Sequence, residues 1–506
     1  MPSPGSPHRN FTNQLPGFVL GDPFVLRWRG RFYLYGTNDG PPLTDGRQIP
    51  VFRSDDLVSW EPLGGALEPI EPGLDHWAPE VLAWNGRFFM VVSFGDVDRL
   101  GHSLWVAVAD RPEGPFHLVD RLNDPSEVFS IDGSWLLDDD GRLYLFRCLD
   151  FVDDGEPPYG TGIVVQAMRD PMTPAGPPST VLRAHSPWHL FEPDRVMPLY
   201  GGRAFPAWTT IEGPAPVRRL GRVFCGYSGG NFMEAYGTGE AVADDPLGPY
   251  QDLRGRDGPL FGTTPGLVEG PGHFSVIRPD MVSDWIVLHG RVPGEHGRRV
   301  WLCPATWSRD GIAIGPLTDQ PQPAPPLPGY VGRFDGPAGA PPGWRLESGG
   351  WVQDGGELWH IGLPGEIDVA WLDEPSTLPD RWVAEVFVRF PEAGDVEAGL
   401  VIGSGATIWR IALRPAEGRG AIVEGDAEIA GFALPTLGDE PFEASRFHVL
   451  EVRSLGGPPV VRLDGVVVAS GPAVPAAARL GLHARGSVAF DAISIAAASP
   501  SRIDCD

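Results

Sequence analysis

The chain contains no lysine: all 39 of its basic residues are arginine, set against 66 aspartates and glutamates for a formal net charge of −27. A surface this acidic repels phosphate, which argues against nucleic acid as a partner and favours a neutral ligand. The missing lysine itself reads as coding bias, not as selection for phosphate binding. Cysteine is almost as scarce. Cys148, Cys225, Cys303 and Cys505 in 506 residues make no disulfide framework and no CxxC metal signature. Three are expected to be reduced core thiols, and Cys505 to sit in an exposed tail. No apolar run approaches membrane-spanning length, and the N-terminal stretch lacks the apolar core of a secretion leader. A cytoplasmic protein with no membrane partner is therefore expected, and the glycosylation-like Asn10-Phe11-Thr12 is accidental. Helical periodicity is hard to find anywhere.

What is present is a phrase repeated five times: an apolar strand, a turn built on Gly-Arg, and a second, aromatic-rich strand. It starts at Asp22, Pro79, Asp132 and Glu212, with a degenerate fifth copy from Gly272. Short alternating stretches of Val, Leu, Phe, Tyr and Trp, broken by Gly, Pro and Asp, are strand and hairpin grammar. Five such units have the spacing of propeller blades. Residues 1–315 are accordingly predicted as a five-bladed β-propeller in an all-β chain. From Pro316 a proline-dense stretch reads as a stiff spacer over 316–330. Residues 331–506 again alternate, with Asp-Gly and Gly-rich turns, and predict a β-sandwich with a frayed tail from Ser499.

In three of the repeats the first strand is headed by an acid, Asp22, Asp132 or Glu212, eight or nine positions before the turn glycine. First strands line a propeller's channel, so these three carboxylates are expected to meet at its mouth. Acetal hydrolysis needs one carboxylic acid to protonate the leaving oxygen and one carboxylate to activate water. A third, ionised, can hold the acid protonated by repulsion. Each residue alone could simply satisfy backbone donors at a strand start; three in register beside aromatics point to chemistry.

Residues 18–315 resemble glycoside hydrolase family 43, through Gly21-Asp-Pro-Phe-Val, Trp77-Ala-Pro-Glu-Val, Ile131-Asp-Gly-Ser, Glu212-Gly-Pro and Gly270-Pro-Gly-His. The resemblance implies a five-bladed propeller that hydrolyses arabinofuranosidic or xylosidic bonds with inversion, on a neutral oligosaccharide. It implies Asp22 as general base, Glu212 as general acid and Asp132 as the carboxylate that tunes and orients the acid. An inverting pair stands about 6.5–9.5 Å apart. His273 matches a family histidine near the channel axis, which in some members helps hold calcium through water; a hydrogen-bonded histidine closing the last blade is the other reading. Arg299 lies near a family arginine that reaches the substrate, and Arg298 could equally hold that place.

For sugar stacking the first choice is Trp77, followed by Trp208 and Phe24, while Glu80, which aligns with Phe24, is assigned a binding role. Asp138, Asp139 and Asp140 read as a solvated turn. Gly226-Tyr-Ser-Gly-Gly fits the G-x-S-x-G pattern of serine hydrolases but lacks the strand-to-helix setting that this elbow needs. A glycan-binding propeller without activity, or a propeller enzyme for galactan, fructan or phosphorolysis, are the rival readings. The C-terminal region resembles concanavalin-like modules through Trp344, Gly350-Trp351, Leu463-Asp-Gly and Arg479-Leu-Gly-Leu-His. It would bind glycan, wall the active-site funnel, or only stabilise the propeller, the last being preferred.

Overall fold

The computed structural model describes residues 9–15, 19–70, 74–95, 100–153, 157–253, 258–347, 350–362, 365–392, 394–405, 407–436 and 439–499. Five sheets, antiparallel except for one parallel pairing in the third, follow one another along the chain as blades, starting at Leu20, Leu74, Ser130, Ile211 and Glu269. Their innermost strands are Leu20–Trp28, Leu74–Trp84, Ser130–Leu137, Ile211–Arg219 and Glu269–Ile277. In blades 1, 2 and 4 the Gly-Arg turn has two central residues with positive φ: Arg29-Gly30, Asn85-Gly86 and Leu220-Gly221. This is the type I′ geometry whose twist matches that of the flanking strands. Blades 3 and 5 turn through longer loops, between Leu137 and Leu143 and between Ile277 and Trp285, and so break the sequence phrase.

The proline-rich stretch is not a free spacer. Gln322–Pro323 pairs antiparallel with Asn10–Phe11, and the Asn13 amide donates to the carbonyls of Leu302 (3.1 Å) and Thr318 (3.0 Å). Ala324 and Leu327 pack on the cluster of Phe11, Leu15 and Leu20. Proline can do this at an edge, where the missing N–H breaks no ladder. Both ends of the propeller segment are thereby tied to the seam between blades 5 and 1.

From Tyr330 the chain forms a sandwich of an eight-stranded and a seven-stranded sheet, closed over an apolar core that includes Trp382, Trp409, Leu450 and Phe490. One of its sheets also presents Phe387 and Ala492 to the propeller, where they join Trp28 and Phe88 in one buried cluster. The Trp28 ring meets Phe387 edge-on at 4.8 Å and Phe88 at 5.0 Å. At the rim Arg27 pairs with Glu385 at 2.6 Å, and Arg29 pairs with Asp491. Cys148, Cys225 and Cys303 are buried free thiols, as composition suggested; Cys505 and the tail from residue 500 lie outside the described residues.

Candidate active site

Every innermost strand carries a bulge at the same place. Its ladder with the second strand skips between Gly21 and Phe24, Trp77 and Glu80, Ile131 and Ser134, Glu212 and Ala215, and Gly272 and Ser275. The first residue within each skip has positive φ: Asp22 48°, Ala78 46°, Asp132 56°, Gly213 57° and His273 45°. An extra residue in this conformation bends the strand and re-aims its side chain. Asp22 and Asp132 are thus true equivalents. Glu212 stands one position earlier, beside a glycine that takes the bulge, so the expectation of three carboxylates in equivalent places is corrected to two plus a neighbour.

The bulges also tie the ring together. The N–H of Ala78 donates to Thr37 Oγ1 at 2.9 Å, that of Asp132 to Ser93 Oγ at 3.0 Å, and that of His273 to Ser228 Oγ at 2.8 Å, each acceptor lying on the second strand of the preceding blade. Asp22 N–H completes the circuit on His289 Nδ1 of blade 5 at 3.0 Å. In blade 3 the equivalent second-strand residue is Cys148, a weak acceptor, and Gly213 N–H donates instead to Asp132 Oδ2 at 3.0 Å. Orphaning one such buried N–H would cost about 1–3 kcal/mol. The serine of the G-x-S-x-G pattern is therefore a buried acceptor in this ring, not a nucleophile.

Asp22, Asp132, Glu212, His273, Trp77 and Trp208 all line one cavity of about 500 Å³ at the channel mouth. Around Asp22 the groups are packed: Arg298 Nη1 reaches Oδ1 at 2.7 Å, the Thr37 hydroxyl donates to Oδ2 at 2.6 Å, and His273 Nδ1 lies 3.2 Å from Oδ1. Burial is the largest single influence and would raise the Asp22 carboxyl, but Arg298, followed by His273 and His289, together outweigh it and hold Asp22 well below the ordinary range. Burial keeps His273 at about 4 and lowers His289 too, so at neutral pH the arginine is the full positive charge that acts. Arg298 is itself fixed by Asp39, which accepts from Nε and Nη2, both at 2.8 Å.

Glu212 is the opposite case. Burial, helped by the Asp22 charge, lifts its carboxyl to about 7, while the Tyr236 hydroxyl, donating to Oε1 at 2.8 Å, pulls it down. Asp132 is also raised well above its ordinary value, first by burial and then by Glu212 and Asp22. The two titrate as a pair. An ionised Asp132 acting on a neutral Glu212, expected from sequence, is corrected to two buried carboxyls that both resist ionisation.

Four other assignments are relocated. Phe24 packs in the apolar cluster between blades 1 and 2, because the bulge at Asp22 ends the simple alternation that would have put both on one face. Glu80 lies outside the cavity lining. Its Oε2 accepts from Ser134 Oγ (2.8 Å) and Trp135 N–H (3.3 Å), tying blade 2 to blade 3, and burial raises it to about 8. Arg299 faces outward to Glu295 at 2.9 Å, so of these two neighbours it is Arg298 that lines the cavity. Asp138 is not a solvated turn residue but the buried partner of Arg218. Trp77 remains at the cavity, stacked on His102 at 3.9 Å and 21°.

Sequence reasoning missed Asp39, Tyr236 and His289. Asp39 sits in an Asn-Asp-Gly turn and Tyr236 in a loop, with no pattern to flag them. His289 had a signal, since it occupies the second-strand position of Thr37, Ser93, Cys148 and Ser228. Calcium finds no direct cradle: Asp22 is committed to Arg298 and Thr37, and Asp132 to Gly213. Among the described residues no group of three or more His, Cys, Asp or Glu is arranged to hold a metal ion. None of the described residues lining the cavity comes from the sandwich.

A sequence model described as glycosyl hydrolases family 43 matches residues 12–313, the whole propeller. The chain belongs to this family. It is similar to a crystal structure of a thermostable family-43 glycoside hydrolase, at 29% identity and a TM-score of 0.53, covering 62% of this chain and 99% of that one. It is also 22% identical over 272 residues to an extracellular endo-α-(1→5)-L-arabinanase of Thermotoga petrophila, covering 47% of this chain and 52% of that protein. With a xylosidase/arabinosidase of Bacteroides ovatus the identity is 27% over 149 residues, covering 26% and 44%. The chain spans about half the length of these curated relatives.

In this family-43 chain the ionisation of Glu212, the expected general acid, can be tested through Tyr236. An acid works while protonated, below its pKa, and fails as pH rises through it. Tyr236→Phe removes a donor that favours the Glu212 anion. The upper limb of kcat/KM against pH, expected near 7 from the Glu212 value, should therefore move to higher pH. A limb that stays or moves down would show that another group sets it.

Proposed function

We propose that the protein is an inverting glycoside hydrolase that removes L-arabinofuranosyl or D-xylosyl units from the ends of short neutral oligosaccharides. One observation carries this reading: a single cavity holds a carboxylate kept ionised by Arg298 and a carboxyl kept protonated to about 7 by burial. Two acids with ionisation pushed apart are what acid–base cleavage of an acetal requires. Asp22 would take a proton from the attacking water while Glu212 gives one to the departing oxygen. Asp132 would hold the Glu212 backbone through Gly213 and share the proton of the pair. His273, neutral and beside Asp22, would orient that carboxylate. The relatives named for arabinan and for xylose- and arabinose-releasing activity support this sugar class.

The test is release of 4-nitrophenol from the α-L-arabinofuranoside and the β-D-xyloside side by side, with the anomer of the first-formed sugar read by proton NMR. Turnover of at least one, giving the inverted anomer, is expected. Folded protein inactive on both would count against the sugar class, and a retained anomer would count against Asp22 as base.

A further inference from the structure

Blade 3 does not end as the other blades do. Its third strand, Tyr159–Asp170, pairs at its start, in parallel, with one arm of an extra hairpin made of Leu190–Met197 and Arg203–Thr209. Gly160 permits this approach: at φ +134° a Cβ there would lie 1.9 Å from Thr209 O. From Thr209 the chain runs through Thr210 and Ile211 directly into Glu212. The hairpin is therefore fixed to the edge of the cavity beside the proposed acid, whereas Asp22, Arg298 and Asp39 belong to the edge made by blades 1 and 5.

Into the same cavity the hairpin sends Phe191 and Arg195, and blade 4 adds Phe232. Phe232 is 43% exposed, with the Phe191 ring 6.4 Å away, so an uncovered aromatic surface stands at the mouth. Arg195 lies over Phe191 at 4.4 Å, with its Nε on Met197 Sδ at 2.8 Å and its Nη1 only loosely placed, 3.6 Å from Glu192. Asp150 faces the cavity as well, its carboxylate oriented by the hydroxyls of Tyr200 (2.7 Å) and Thr161 (3.2 Å). An aromatic surface flanked by one spare donor and one oriented acceptor is the composition of a sugar subsite. Because an acid protonates the bond on the leaving-group side, a subsite on the acid's edge holds the departing sugar.

We infer that the hairpin of residues 190–209, together with Phe232 and Asp150, binds the leaving-group sugar, a neutral glycosyl unit stacked on Phe232 and hydrogen-bonded by Arg195 and Asp150. Arg195 is balanced by Asp150 and Glu192, so a carboxylate on that sugar would gain no net charge attraction. The inference rests on the hydrolase reading and gives it a specificity: the preferred substrate carries a sugar, not an alcohol or aryl group, on its leaving side.

The experiment compares Arg195→Ala and Phe232→Ala with the unaltered protein on a pentosyl disaccharide and on the corresponding glycosyl fluoride, whose leaving atom fills no sugar subsite. The ratio of kcat/KM for disaccharide over fluoride should fall about tenfold or more in Arg195→Ala, the loss of one charged hydrogen bond, and fall also in Phe232→Ala. Both side chains are at the surface of the cavity, so folding should survive. A ratio unchanged in both variants, or equal losses on both substrates, would overturn the subsite. If the unaltered protein cleaves neither substrate, the hydrolase reading itself fails, and the subsite fails with it.

Discussion

Glu212→Ala should slow cleavage of a disaccharide by about 10²–10⁴-fold, the usual worth of a positioned general acid, while a dinitrophenyl glycoside of the same sugar loses far less. The difference follows from the leaving group: a sugar alkoxide must be protonated as it departs, whereas a dinitrophenolate leaves unaided. The backbone at Glu212 is held by its neighbour, since Gly213 takes the positive-φ bulge and donates to Asp132 at 3.0 Å. Steady-state kinetics on the two substrates decide the matter. Equal losses would mean that Glu212 does not act as the acid.

Asp22→Asn should be as damaging and should not discriminate, because water must be activated whatever departs. A loss of about 10²–10⁴-fold on both substrates is expected. The amide keeps the size of the carboxylate: its oxygen can still accept from Arg298, and its NH2 would donate to the Thr37 hydroxyl, which turns its own proton away, so the ring bond from the residue 22 N–H to His289 should survive. Sugar binding, measured by calorimetry on the inactive variant, should stay within a few-fold of the parent by the same reasoning. Substantial remaining turnover on both substrates would remove Asp22 from the base's role. Binding without turnover in the unaltered protein would instead favour a glycan-binding propeller.

Asp39 adds a constraint on any redesign of this edge. It takes the Nε and Nη2 protons of Arg298 and leaves Nη1 for Asp22, a forked geometry that lysine does not reproduce. The low pKa of Asp22 therefore depends in part on an arginine of blade 5 that is itself held by an aspartate of blade 1.

How much of this was legible in the sequence varies with the range of the interactions involved. The five blades, the sandwich and the convergence of Asp22, Asp132 and Glu212 are periodic properties: local alternation and turn chemistry recur, and a ring of repeats brings equivalent positions together. Counting back from the turn glycine could not show that Glu212 sits one place before the bulge, because the blade 3 turn is longer and shifts the count. Neither could it choose between Arg298 and Arg299. Successive side chains of a strand face opposite ways, and the register of Arg298 with Arg291 and of Arg299 with Gly290, set by the whole sheet, decides which one turns inward. Phe24 and Glu80 were misplaced for a related reason, since a bulge changes the facing of everything beyond it. Tertiary structure alone supplied the groups that tune the acids, Arg298 with Asp39 at Asp22 and Tyr236 at Glu212. These come from segments up to 276 residues away in the chain, and Coulomb and hydrogen-bond terms depend on distance in space, which no local pattern encodes.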